Sequence, residues 1–92
     1  AGAFTSDDWR TAEARSLLGG CLTVLGRHAE AEPLLVESYP ILERRRGRDY
    51  RRTREAGQRV VALYESWGRP AEAARQRARL GLSAPGPAPA PR

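Results

Sequence analysis

"GRHAEAE", residues 26–32, and "GRPAEAA", residues 68–74, are the same short phrase written twice, 42 residues apart. Extending the comparison backwards lays residues 7–32 over residues 49–74 without a gap, and ten of the 26 positions are identical. Asp7 meets Asp49, Arg10 meets Arg52, Thr11 meets Thr53, Glu13 meets Glu55 and Ala14 meets Ala56, all before the Gly-Arg block is reached. A bias towards Arg and Ala would scatter a few identities; it would not place that block in register with the others. The chain therefore reads as two copies of one unit.

The period of the apolar residues says what the unit is. Ala14, Leu18, Cys21, Leu22 and Leu25 fall at helical spacing, and the 42-residue offset carries them onto Ala56, Val60, Leu63, Tyr64 and Trp67. Each set predicts one apolar helix face turned inward. Gly26 and Gly68 follow these stripes, where a helix end favours positive φ. Asp7 and Asp49 precede them as candidate N-caps. A second helix is expected over residues 29–46, with Ala31, Leu34, Leu35, Ile41 and Leu42 inward. Pro33 lies in its opening turn, where the missing N–H costs little, but Pro40 opposes the carbonyl of Val36 and should kink or split the helix near Tyr39. The last helix, residues 70–80, has a thin stripe of Ala73, Ala74, Ala78 and Leu80, which suits the outer end of a stack.

The expected fold class is thus all-α, two helix–turn–helix hairpins stacked in one direction, with short turns making each pair antiparallel. The boundaries are a lead-in over 1–6, a first repeat over 7–46, a second over 47–82 with the terminal helix, and a Pro/Ala tail over 83–92 read as disordered. One unit cannot bury its own apolar face, so the chain is expected to be marginal alone, to self-associate, or to stack on preceding repeats.

The chain has 92 residues and a net charge of +5. A charge of that sign invites nucleic acid. All sixteen basic residues are Arg, however, and Ala, Gly and Pro are abundant, as the codon bias of a G+C-rich genome would produce. Seven of the arginines crowd into "ERRRGRDYRRTRE", residues 43–55. The repeat register makes this stretch a junction between hairpins, with Gly47 ending one helix and Asp49 capping the next. Arg44, Arg45 and Arg46 then complement a helix C-terminus. Arg48, Arg51, Arg52 and Arg54 complete a cationic knob, and the last three open a helix, where the dipole disfavours them. No leader and no membrane-length apolar run is present, which favours a cytoplasmic setting. Met is absent, so a segment cut or processed from a longer protein is expected.

Gly26, His28 and Ala31, preceded by Leu18, Gly19 and Leu22, resemble the signature of a tetratricopeptide repeat, and Val60, Tyr64, Gly68 and Ala73 resemble it a second time. The 42-residue period is similar to the longer, kinesin-light-chain type. "AEAEPLLVESY" looks like its second helix and "GRDYRRTREA" like its inter-repeat turn, although Arg48 and Arg51 stand where that turn usually carries prolines. "RTREAGQRVVALYESWGRPAEAARQRARL" resembles the final repeat of bacterial serine/threonine protein kinases that bear such repeats. The resemblance implies a right-handed solenoid segment whose first helices line a concave groove. Glu13, Ser16, Gly20, Thr23, Glu55, Gln58, Ala62 and Glu65 would line it, a polar, small and acidic mixture suited to a basic or neutral peptide.

Catalysis is not expected. Cys21 sits on an apolar stripe with no base placed for it and reads as a buried structural thiol. His28, where the repeat prefers an aromatic, reads as packing between helices. Glu30 and Glu32 diverge on a helix. One Cys and one His cannot build a zinc site, and no cofactor is implied. Trp67 and Tyr64 read as core, whereas Trp9 and Tyr50 are expected half-exposed near helix starts. The favoured function is a non-catalytic protein-interaction module whose partner is a protein or peptide segment. Nucleic-acid binding through the arginines and a purely structural solenoid cap stand as alternatives.

Overall fold

Asp8 begins the part of the chain, residues 8–81, that a computed structural model describes. Its carboxylate accepts from the backbone N–H of Arg10 at 3.1 Å and caps helix α1, Trp9–Val24. Helix α2 spans His28–Arg46, α3 Arg51–Ser66 and α4 Pro70–Leu80, and no strand occurs among the described residues. The expected lead-in, the tail and Asp7 lie outside them.

Both hairpin turns close in the same way. Arg27 N–H donates to Leu22 C=O at 2.8 Å and Gly26 N–H to Thr23 C=O, with Gly26 at φ 81°. Arg69 N–H donates to Tyr64 C=O at 2.8 Å and Gly68 N–H to Glu65 C=O, with Gly68 at φ 76°. This is the paired closure that a left-handed residue after a helix makes available. The internal repeat is therefore a repeat of backbone geometry as well as of letters. Asp49 does not cap α3, contrary to its expected role: Tyr50 occupies that position, and no side chain hydrogen-bonds the first turn.

Helix α3 organises the packing. It lies against both helices of the first hairpin and carries α4 on its other side. Leu35, Leu42 and Leu63 are fully buried among them, each contributing about 1.5–3 kcal/mol of burial. Thr53 Oγ1 donates to Leu42 C=O at 3.4 Å, tying α3 to the end of α2. Every buried side-chain nitrogen or oxygen among the described residues has a partner.

Two expectations fail for physical reasons. Of the kink or split expected at Pro40, the split does not occur: α2 runs unbroken from His28 to Arg46. The ring of Pro40 is exposed, while Ser38, Tyr39, Ile41 and Leu42 around it are buried, so the anchoring on the core side outweighs one missing hydrogen bond. The stripe of α1 is mostly not inward either: Leu22 is half-buried against the core, but Ala14, Leu18, Cys21 and Leu25 are exposed, and Cys21 is therefore no buried structural thiol. The buried residues of α1 are Ala12, Ser16 and Gly19. A Cβ on Gly19 would lie 2.6 Å from Leu35 Cγ, so α2 approaches α1 closely only along this small-residue edge. In α4, Gln76 takes the inward place expected of Ala74 and Ala78.

Candidate functional site

The eight residues expected to line one groove separate into two groups. Glu13, Ser16 and Gly20 sit where α1 meets α3. Arg52 pairs with Glu13 across that contact. Arg59 donates to the hydroxyl of buried Ser16 at 2.9 Å. The Cδ of Arg59 lies 3.1 Å from where a Cβ of Gly20 would be, so this side chain fills the space above Ser16 and Gly20. Thr23 donates to Gly19 C=O of its own helix at 2.9 Å. On α3, Glu55 accepts from Arg51 at 3.4 Å and Ala62 is exposed.

Gln58 and Glu65 lie on the other edge of α3. There a half-open pocket of about 450 Å³ runs along α3 between the end of α2 and the end of α4. Arg54, Val61, Tyr39, Arg48, Arg77 and Leu80 contribute to its walls. Glu65 pairs with Arg77, and Arg48 donates to Glu43 at 3.1 Å. Burial, followed by the charge of Glu43, pushes the Tyr39 phenol above its ordinary pKa, with Arg48 opposing.

The 42-residue offset explains this pocket. It carries Ala12, Ser16 and Gly19 onto Arg54, Gln58 and Val61, and Leu35 and Ser38 onto Arg77 and Leu80. In the first hairpin that edge is buried; in the second the same positions line an open pocket. Arg77, Val61 and Tyr39 escape the sequence reading, although the offset, applied to the edge rather than to the stripe, points to Arg77 and Val61.

Most of the cationic knob is drawn into local contacts. Arg46 lies between Trp9 and Tyr50, 4.6 and 4.5 Å from their ring centroids, and these two half-buried rings meet edge to face. Arg48 pairs with Glu43, Arg51 with Glu55 and Arg52 with Glu13. Arg44 and Arg45 also have partners, and Arg54 faces the pocket. No family model, curated protein or solved structure matches this chain.

A stacked layer joins the two hairpins at the far end of α3. The His28 ring stacks on Trp67 at 5.5 Å and Tyr64 stacks on the same indole at 6.2 Å, while Arg69 covers Trp67 at 3.9 Å. Tyr64 is buried and donates to Glu32 at 2.7 Å. Burial first, then that hydrogen bond, pushes the Tyr64 phenol up to about 12. A phenol held neutral in the fold but free to ionise near 10 when unfolded stabilises fully below pH 10 and loses that contribution as pH rises towards 12. Thermal stability should thus fall between those values, and Tyr64→Phe should flatten the fall. An equal fall in the variant would show that Tyr64 is not its source.

Chemically, this surface offers contacts. Among the described residues no group of three or more His, Cys, Asp or Glu is placed to hold a metal ion, and no helix is long and apolar enough to cross a membrane.

Proposed function

We propose that this chain is a non-catalytic, tetratricopeptide-like interaction module that presents the α3–α4 pocket to an extended protein segment. The reading is carried by the way α3 seats itself on the first hairpin while the corresponding edge of the second hairpin stays open. A preformed slot between packed helices binds with little rearrangement. Its mixed walls, with Arg54 and Arg77 beside Glu65 and Gln58, suit a neutral or basic segment that displaces Arg77 from Glu65. On this reading the hairpins form a short right-handed solenoid in the cytoplasm. The likeness of residues 52–80 to the last repeat of bacterial kinases supports a larger kinase as the parent.

Selection from a displayed peptide library should enrich neutral or basic segments. Gln58→Trp, which fills the slot from an exposed position, should weaken the selected peptides at least about tenfold. Unchanged binding in that variant would move the site elsewhere. An empty selection would favour the structural cap, a reading that the charged edge of the second hairpin also supports. Submicromolar DNA binding at about 150 mM salt, with steep salt dependence, would favour nucleic acid instead.

A further inference from the structure

The outward face of α1 is the least satisfied surface of the described chain. Leu17, Leu18, Val24 and Leu25 are 47%, 52%, 85% and 68% exposed. On the same face Ala14 and Cys21 are exposed as well, whereas Ala56, Val60 and Leu63, the repeat partners of Ala14, Leu18 and Cys21, are 1%, 2% and 0% exposed. Residue type does not explain the contrast, because both stripes are apolar. What differs is a neighbour: α3 has the first hairpin beneath it, and among the described residues no element packs against this face of α1.

Three observations point to what fits there. Ala14, Leu18, Cys21 and Leu25 are spaced by four, three and four residues, the narrow seam by which one helix packs along another. Residues 17–25, "LLGGCLTVL", include no charge, and Arg15 is the single charge between Ala14 and Leu25, so two such faces meet with little repulsion. The seam is also self-complementary. Turned antiparallel on itself about a point between Leu18 and Cys21, it sets Leu18 against Cys21 and Ala14 against Leu25, a large side chain facing a small one in every layer. Head-to-tail stacking is disfavoured, since the free edge at the other end carries Arg54, Glu65 and Arg77 and would have to desolvate them under leucines.

We propose that α1 is the contact of a closed, two-fold dimer of this chain, with the seam of one copy antiparallel on the seam of the other. Such an interface uses the same patch twice and terminates at two copies. The seam lies at the opposite end of the stack from the α3–α4 pocket, so peptide binding and dimerisation succeed or fail separately.

Sedimentation equilibrium of the full chain should give twice the monomer mass at about 100 µM and dissociation on dilution. Leu18→Glu, at a position outside the core, should give a monomer with an unchanged helical circular dichroism spectrum. Cys21 should react with a water-soluble disulfide reagent more slowly in the dimer than in the dilute or Leu18→Glu protein. Gln58→Trp should leave the dimer intact. A wild-type monomer at the highest concentration would overturn the proposal, as would larger oligomers growing without limit or a dimer insensitive to Leu18→Glu. It would equally be overturned if Cys21 became protected only on fusing a copy of residues 7–48 upstream in register, which would assign the face to a preceding hairpin.

Discussion

Leu63→Ala should lower the unfolding free energy by about 2–5 kcal/mol, whereas Cys21→Ala, at the same place in the other copy, should change it by less than about 0.5 kcal/mol in dilute protein. Leu63 is fully buried, packed where α3 sits on the first hairpin, and its truncation leaves a cavity that neighbouring helices close only in part. Cys21 is exposed and has no such contact to lose. Domains of ordinary size have only about 5–15 kcal/mol in hand, and a four-helix chain of this length sits at the lower end, so Leu63→Ala should bring the urea midpoint close to zero denaturant. Similar midpoint shifts in the two variants would mean that the first stripe is covered in solution as the second one is.

Gly19→Val should be the most damaging single change on α1. The new Cβ would stand 2.6 Å from Leu35 Cγ and 2.8 Å from Leu35 Cδ2. Leu35 is fully buried, and the contact is with its branch carbon, so it cannot swing aside. Overpacking of this kind costs about 1–3 kcal/mol and more when a helix must move. Here α1 must lift from α2 or α2 must shift against α3. The neighbouring Gly20 supplies the control. Its added Cβ meets only the flexible Arg59 side chain, at 3.1 Å. Replacing a mid-helix glycine by alanine gains up to about 1 kcal/mol, so Gly20→Ala should be neutral or stabilising. Thermal melts of the two variants check the pair; a Gly19→Val protein as stable as the parent would mean that the two helices pack less closely than described.

The helices and their turns were legible because the signals that set them are local. Gly26 and Gly68 supply the positive φ at each closure, and Pro70 opens α4. What the sequence did not show is which face each helix buries. The stripe of α1 and the stripe of α3 are alike in period and composition. Burial depends on a partner helix, and a property of the pair cannot be read from one member. The core edge of α1, Ala12, Ser16 and Gly19, is nearly featureless on any hydropathy scale; its signal is smallness, which becomes visible only beside Leu35. The same reason separates the expected groove residues. Glu13 and Ser16 look solvent-facing by type, yet Arg52 and Arg59 from α3 reach across to them. The split expected at Pro40 fails for the opposite reason, since the buried residues on either side of it hold the helix together across the local interruption.

The two indoles stand at opposite ends of the structure. Trp9 shares its surroundings with Arg46 and Tyr50, where α1 begins and the inter-hairpin junction passes. Trp67 lies between the start of α2 and the turn into α4, beside His28 and Arg69. Each ring is in contact with groups from a different helix, so each loses its neighbours only when its own end of the molecule comes apart. The chain thereby carries a built-in measure of its cooperativity. If the hairpins melt as one body the two rings lose their neighbours together, and if one hairpin peels away first they do so in sequence.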